Sequence, residues 1–113
     1  MSDVIYKIVT EDLWLDARGK GVFDGAPVDL ADGYIHFSTA AQAQETADRH
    51  FAGQTGLLLL AVDIDQLGDK LVWEPSRGGA LFPHLYAPLP LNAVLWEKPL
   101  ALGADGRHQF PEM

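Results

Sequence analysis

The spacing of apolar positions changes several times along this chain, and each change marks an element. Val4-Ile5-Tyr6-Lys7-Ile8-Val9 concentrates β-branched and aromatic residues and predicts the first strand. Thr10 then offers a helix cap, with Glu11 and Asp12 in the favourable first turn. Leu13, Trp14 and Ala17 supply the apolar face of that helix, and Gly19 and Gly21 end it. From Val22 to Gly33 the periodicity is lost. Gly25, Pro27 and the Asp32-Gly33 pair predict an irregular connection, with Pro27-Val28-Asp29-Leu30 packed on the surface outside any sheet.

Tyr34-Ile35-His36-Phe37 predicts a short strand. Thr39 with Gln42 three residues on is a capping box, and Ala40, Ala43, Ala47 and Phe51 recur at helical spacing. The small alanines let this second helix lie close to a sheet. Leu57 to Val62 is the longest wholly apolar run and predicts a buried central strand. Asp63 caps a single helical turn through Leu67, which Gly68 stops, and Leu71 to Glu74 predicts a further strand. Asn92 to Lys98 carries apolar residues on both parities, which predicts a strand buried on both faces. Gly103 to Gly106 reads as a turn and His108 to Phe110 as a short terminal strand. About six or seven short strands with two main helices predict an α+β fold with a mainly antiparallel sheet. No repeat, linker or low-complexity segment divides the chain, so residues 1–113 are expected to form a single domain.

Composition narrows the function classes. At 48% hydrophobic residues the chain can build a core. Eight basic residues against sixteen acidic ones give a net charge of -8, which argues against non-specific nucleic-acid binding but leaves room for a local basic pocket. The absence of cysteine excludes disulfide and thiolate chemistry and fits a reducing compartment. No apolar run approaches the about 20 residues that a bilayer-crossing helix needs, and no basic stretch leads into an apolar one near Met1. A cytoplasmic protein without membrane contact is the expectation. Four histidines without cysteines show no zinc-ligand spacing, so no metal is predicted, and neither a phosphate-binding glycine loop nor a nucleophile elbow is present.

The residues best suited to chemistry gather in two places. The densest stretch runs from Trp73 to Pro90. In it Ser76-Arg77-Gly78-Gly79 predicts a turn whose backbone N–H groups and guanidinium converge on an anion, with Glu74 placed to orient a ribose hydroxyl or stabilise positive charge. The plainer alternative for Arg77 and Glu74 is that they pair with each other or with a nearby acid. His84 shares strand parity with Tyr86. The second place is His36-Phe37-Ser38, where His36 and Ser38 share parity and the following helix start suits a phosphate. A buried imidazole with Ser38 as a cap is the structural counterpart of that reading. His36-x-Ser38 and His84-x-Tyr86 loosely repeat the His-x-Ser/Thr pairs of two-histidine phosphoesterases, in which one imidazole acts as base and the other as acid. His50 beside Arg49 is expected to serve the helix C-terminus, His108 to be peripheral, Asp63 to cap, and Trp14, Trp73 and Trp96 to lie in the core.

Several stretches resemble the small bacterial domain-of-unknown-function family 952: Ile5-Tyr6-Lys7-Ile8, Asp29 through Ser38, Glu45 through Phe51, and above all Trp73-Glu74-Pro75-Ser76-Arg77-Gly78-Gly79 with Phe82-Pro83-His84-Leu85-Tyr86. Together they cover most of the chain. A more distant resemblance links Gly33-Tyr34-Ile35-His36-Phe37-Ser38 to the first histidine motif of the ADP-ribosyltransferase-like fold, which includes the RNA 2'-phosphotransferases. That resemblance implies a split, mainly antiparallel sheet clasping NAD as cofactor, with His36 on a ribose hydroxyl. His36, Glu74 and His84 become the catalytic candidates, and Ser38, Arg77, Gly78, Gly79 and Tyr86 the ligand-binding ones. The expected partner is NAD or another small phosphorylated ligand or nucleotide. The alternatives are a non-catalytic nucleotide or metabolite binding module, a two-histidine phosphoesterase and a structural interaction protein.

Overall fold

The computed structural model describes residues 3–113, the side chain of Arg77 excepted. In chain order the elements are β1 (Val4–Thr10), α1 (Glu11–Lys20), β2 (Val22–Phe23), α2 (Pro27–Asp32), β3 (Ile35–His36), α3 (Ala40–His50), β4 (Leu57–Asp63), β5 (Leu71–Pro75), β6 (Leu81–Leu85), β7 (Leu89–Pro90), β8 (Val94–Leu102) and β9 (His108–Gln109), with single helical turns between several of them. The strands form a four-stranded sheet ordered β1-β4-β8-β9, a three-stranded sheet ordered β3-β6-β5, and a short β2-β7 ladder. Every pairing is antiparallel. The result is a mixed α+β architecture.

The apolar run Leu57 to Val62 becomes the inner strand β4, buried on both faces as its composition predicts. Leu60 and Val62 join Ile5, Val9, Trp14 and Ile35 in one core cluster. Leu57, Leu59 and Ala61 join Tyr6, Ile8 and Ala47 in the other. The second cluster is closed by α3, whose Ala43 and Ala47 are buried and keep the helix close to the sheet. Thr39 and Gln42 cap α3 reciprocally: the Gln42 N–H donates to Thr39 Oγ1 (3.2 Å) and the Thr39 N–H to Gln42 Oε1 (3.0 Å).

The two larger sheets fork at one extended segment. Ile35 and His36 pair with Leu85 and His84 of β6. Two residues later Ser38 pairs with Tyr6 of β1, through N–H to carbonyl bonds of 2.8 and 2.9 Å in both directions. A single stretch of chain thus changes sheets within four residues, from 35 to 38.

Four expectations need correction. Residues 22–33 are not irregular: Val22 and Phe23 pair with Pro90 and Leu89, and Pro27 to Asp32 form a helix. Pro27 presets the first helical turn, the Ala26 N–H donates to Asp29 Oδ2 (2.8 Å), and Gly33 ends the helix at a φ of 88°. Six residues are too few for apolar periodicity to register. Strand β8 has burial that alternates along its length, because one of its faces remains in solvent. Trp14 is core, but Trp73 is 42% exposed on the edge strand β5, and Trp96 is half-buried beneath the Lys98 ammonium, 4.4 Å from its ring. His108 is buried rather than peripheral, with Nε2 donating to the Gln54 carbonyl at 2.8 Å.

Leu60 has no exposed surface at the centre of β4. Leu60→Ala is expected to destabilise the protein by about 2–5 kcal/mol through lost burial and a residual cavity. Urea unfolding monitored by tryptophan fluorescence checks this.

Candidate functional site

The β3-β6-β5 sheet turns Ile35 and Leu85 toward the core, so the alternation of side chains puts His36 and His84 on the opposite face. The two histidines occupy directly paired positions, and their ring centroids lie 5.5 Å apart. Strand β5 adds Glu74, diagonal to His84 on the same face. Tyr34, in the turn after α2, folds back over them. Its ring stacks on His84 at 4.1 Å and 27° and reaches His36 at 4.6 Å and Tyr86 at 5.2 Å. His84 is therefore only 4% exposed although it lies on the outer face of its sheet.

Each imidazole is held at Nδ1 by a carboxylate. His36 Nδ1 lies 2.6 Å from Asp29 Oδ1, and His84 Nδ1 lies 2.8 Å from Glu74 Oε1. Asp29 is the better satisfied. It also accepts from the His36 N–H (3.1 Å), the Ala26 N–H (2.8 Å) and the ammonium of Lys7, which lies 3.1 and 3.0 Å from its two oxygens. Burial pushes the Asp29 carboxyl up, but the His36 bond, the Lys7 charge and the two backbone donors outweigh it and hold it at about 2. Burial lowers the Lys7 ammonium, against the raising effect of Asp29. Both Nδ1 atoms face ionised acceptors, so both carry the proton.

Glu74 and Tyr86 form the open side. The Tyr86 hydroxyl donates to Glu74 Oε1 at 2.6 Å. That bond, with the one from His84, holds the Glu74 carboxyl below its ordinary range. The same bond, helped by burial and the Glu74 charge, pushes the Tyr86 hydroxyl up to about 12. Both donors meet one oxygen, and Glu74 Oε2 has no partner among the described residues. A shallow cavity of about 260 Å³ adjoins Tyr34 and Tyr86 and is lined also by Asp24, Leu30, Gly33 and Pro88.

A family model described as protein of unknown function (DUF952) matches residues 8–97. The chain belongs to the DUF952 family. The crystal structure of protein CC0527 from Caulobacter crescentus is similar at 54% identity, covering 94% of this chain and 93% of that one with a TM-score of 0.91. The solution structure of the same Caulobacter crescentus protein superimposes with a TM-score of 0.85 at 54% identity, covering 94% and 91% of the two chains. Among curated proteins none matches.

In this DUF952 chain the fold brings together four of the residues that the sequence singles out: His36, Glu74, His84 and Tyr86. Ser38 is not among them. It is buried, and its hydroxyl lies 2.9 Å from Thr46 Oγ1 on α3. The turn at Ser76 to Gly79 does not offer the expected set of backbone donors. The Ser76 N–H donates to the Ala80 carbonyl (2.9 Å) and the Gly79 N–H to the Ser76 carbonyl (2.7 Å), so both are spent. Gly78 and Gly79 serve the turn through positive φ values of 66° and 84°. The side chain of Arg77 lies outside the described residues.

Lys7, Asp29 and Asp32 belong to the site but escape a reading by residue type. Lys7 hides in a strand pattern, and Asp29 sits where no helix is expected. The Pro27-x-Asp29 spacing, an N-terminal helix signal, is the one clue. Among the described residues no group of three or more His, Cys, Asp or Glu can hold a metal ion, and no helix is long and apolar enough to cross a membrane.

Asp29 titrates at about 2 in the fold against an ordinary 3.8, so its contribution is complete above pH 4 and disappears as pH falls through about 2. The contribution amounts to about 2 kcal/mol. Asp29→Asn is expected to abolish this acid-linked part of the stability loss and to lower stability at neutral pH, where Lys7 is left buried without a counter-charge. Thermal unfolding from pH 7 to pH 2 checks both.

Proposed function

We propose that this protein binds an NAD-like nucleotide and acts on the bond between its ribose and a planar base, by hydrolysis or transfer. The observation that carries the reading is Glu74: an ionised carboxylate held at Oε1 by His84 and Tyr86, with Oε2 meeting no partner among the described residues. Breaking an N-ribosyl bond leaves the electron pair on the departing base and positive charge on the ribose. A fixed carboxylate stabilises that charge more in the transition state than in the ground state. Tyr34 and Tyr86 offer faces on which a planar base stacks. With Nδ1–H on Glu74, neutral His84 has an Nε2 lone pair that meets no partner among the described residues. It takes the proton of the attacking water or hydroxyl. His36 contacts a ribose hydroxyl, and Arg77 neutralises phosphate.

The forked sheets are the feature that supports a kinship with the ADP-ribosyltransferase-like fold, in which NAD lies in a split sheet. Calorimetric titration with NAD and ADP-ribose, combined with chromatography of released nicotinamide, tests the proposal. Glu74→Gln is expected to cut turnover by about 10²–10³-fold with little change in affinity. Saturable binding without turnover assigns the protein to the class of non-catalytic nucleotide modules. No saturable binding of either ligand overturns the reading.

A second reading, the two-histidine phosphoesterase, draws on the direct pairing of His36 with His84 across β3 and β6. It calls for both Nε2 atoms on one phosphate. Hydrolysis of a 2',3'-cyclic nucleotide, lost in both His36→Ala and His84→Ala, would favour it over the first.

A further inference from the structure

The two carboxylates that face His36 come from one short helix and stand in different environments. Asp29 and Asp32 are three residues apart on α2 and therefore share a face. Asp29 takes Nδ1 at 2.6 Å, and Asp32 Oδ2 lies 2.9 Å from Nε2. The Asp29 side chain is 1% exposed, whereas the Asp32 side chain is 45% exposed. Asp29 accepts from Lys7, Ala26 and His36, while Asp32 has His36 as its only partner among the described residues. Asp32 ends its helix directly before Gly33, whose φ of 88° is open to glycine at no steric cost.

We infer that Asp32 is a displaceable latch on His36. It closes Nε2, the one ring nitrogen able to reach a ligand, and swings away when a ligand oxygen takes its place. Asp29 cannot leave, because its departure would strand a buried Lys7 charge and two backbone N–H groups. Asp32 can leave, because water re-solvates a half-exposed carboxylate at little cost. The ligand group that replaces it is an oxygen, of a ribose hydroxyl or a phosphate, since a carboxylate oxygen already stands 2.9 Å from Nε2 in the latched arrangement. The negative charge of Asp32 also acts on Tyr34, whose hydroxyl is raised first by burial and then by the Asp32 and Glu74 charges. Occupation of Nε2 by the protein itself lowers apparent affinity by the fraction of molecules that are latched. The nature of the incoming ligand rests on the nucleotide reading above; the latch does not.

Two measurements on the full chain test the latch. The first is carbethoxylation of His36 by diethyl pyrocarbonate, followed by mass spectrometry, with His84 and His108 as internal references. Asp32→Ala is expected to speed modification at His36 about fivefold, the upper end for a half-exposed ion pair, while the reference rates stay fixed. An unchanged His36 rate overturns the latch whether or not any nucleotide binds. The second is calorimetric titration with ADP-ribose, for which Asp32→Ala is expected to bind about fivefold more tightly than the native chain and Asp32→Asn to fall between them. Weaker binding by Asp32→Ala makes Asp32 a ligand contact and overturns its displacement. If neither chain binds ADP-ribose, the nucleotide reading fails and the modification rates still decide the latch.

Discussion

A buried ion pair ties three parts of this fold together. Lys7 comes from β1 of the larger sheet and Asp29 from α2, and through Asp29 both reach His36 on β3 of the smaller sheet. Both charges are buried, so each needs the other at contact distance. A pair of this kind adds little net stability compared with apolar residues of the same volume. Its effect is geometric: any slip between the sheets that separated the partners would leave two uncompensated charges in the interior. The fork at residues 35–38 carries the same constraint in the backbone, with Ile35 and His36 bonded to β6 and Ser38 to β1.

That constraint fixes the site. His36 is oriented by a carboxylate whose own position is set by Lys7 and two backbone donors, so its ring direction follows from the packing of the sheets. His84 is oriented from the other side by Glu74, on an edge strand, and is covered by Tyr34. The two imidazoles are matched in register but not in surroundings. One is anchored deep in the fold by a carboxyl held at about 2, the other by a carboxylate on the open side whose Oε2 has no partner among the described residues. Carboxylates predominate among the described charged groups around the rings, and the turn at Ser76 to Gly79 uses two of its N–H groups internally. This local charge suits a developing cation better than a bare phosphate, which is why the proposed reading centres on Glu74 and the aromatic cluster and not on the glycine turn.

Much of this was legible in residue order, because it depends on short-range pattern. The apolar run at Leu57 to Val62 reads as an interior strand and forms one. The Thr39/Gln42 capping box is local chemistry that forms as written, and so is the Asp63 cap, whose carboxylate accepts the Asp65 N–H. The parity of His36 and His84 within their short strands already implied that each points away from an apolar neighbour. The family likeness was carried by the same motifs. These features need no knowledge of which segments meet.

The partners of those residues were decided by the tertiary structure. Parity set the face for His84 but not the facing strand, so the Glu74 and Tyr34 contacts appear only once β5 and the turn after α2 are in place. Ser38 has the right parity for a ligand contact, yet the change of sheets two residues past His36 turns it into the contact with α3. Trp73 and Trp96 are as apolar as Trp14, yet Trp73 is exposed by its place on an edge strand, and Trp96, paired with Ala61 on the packed face of β8, is only partly covered. A lysine in a strand and an aspartate in a short helix give no sign, each by itself, of the other as partner. Burial is a property of the assembled chain, and it is burial that makes Lys7 and Asp29 dependent on each other.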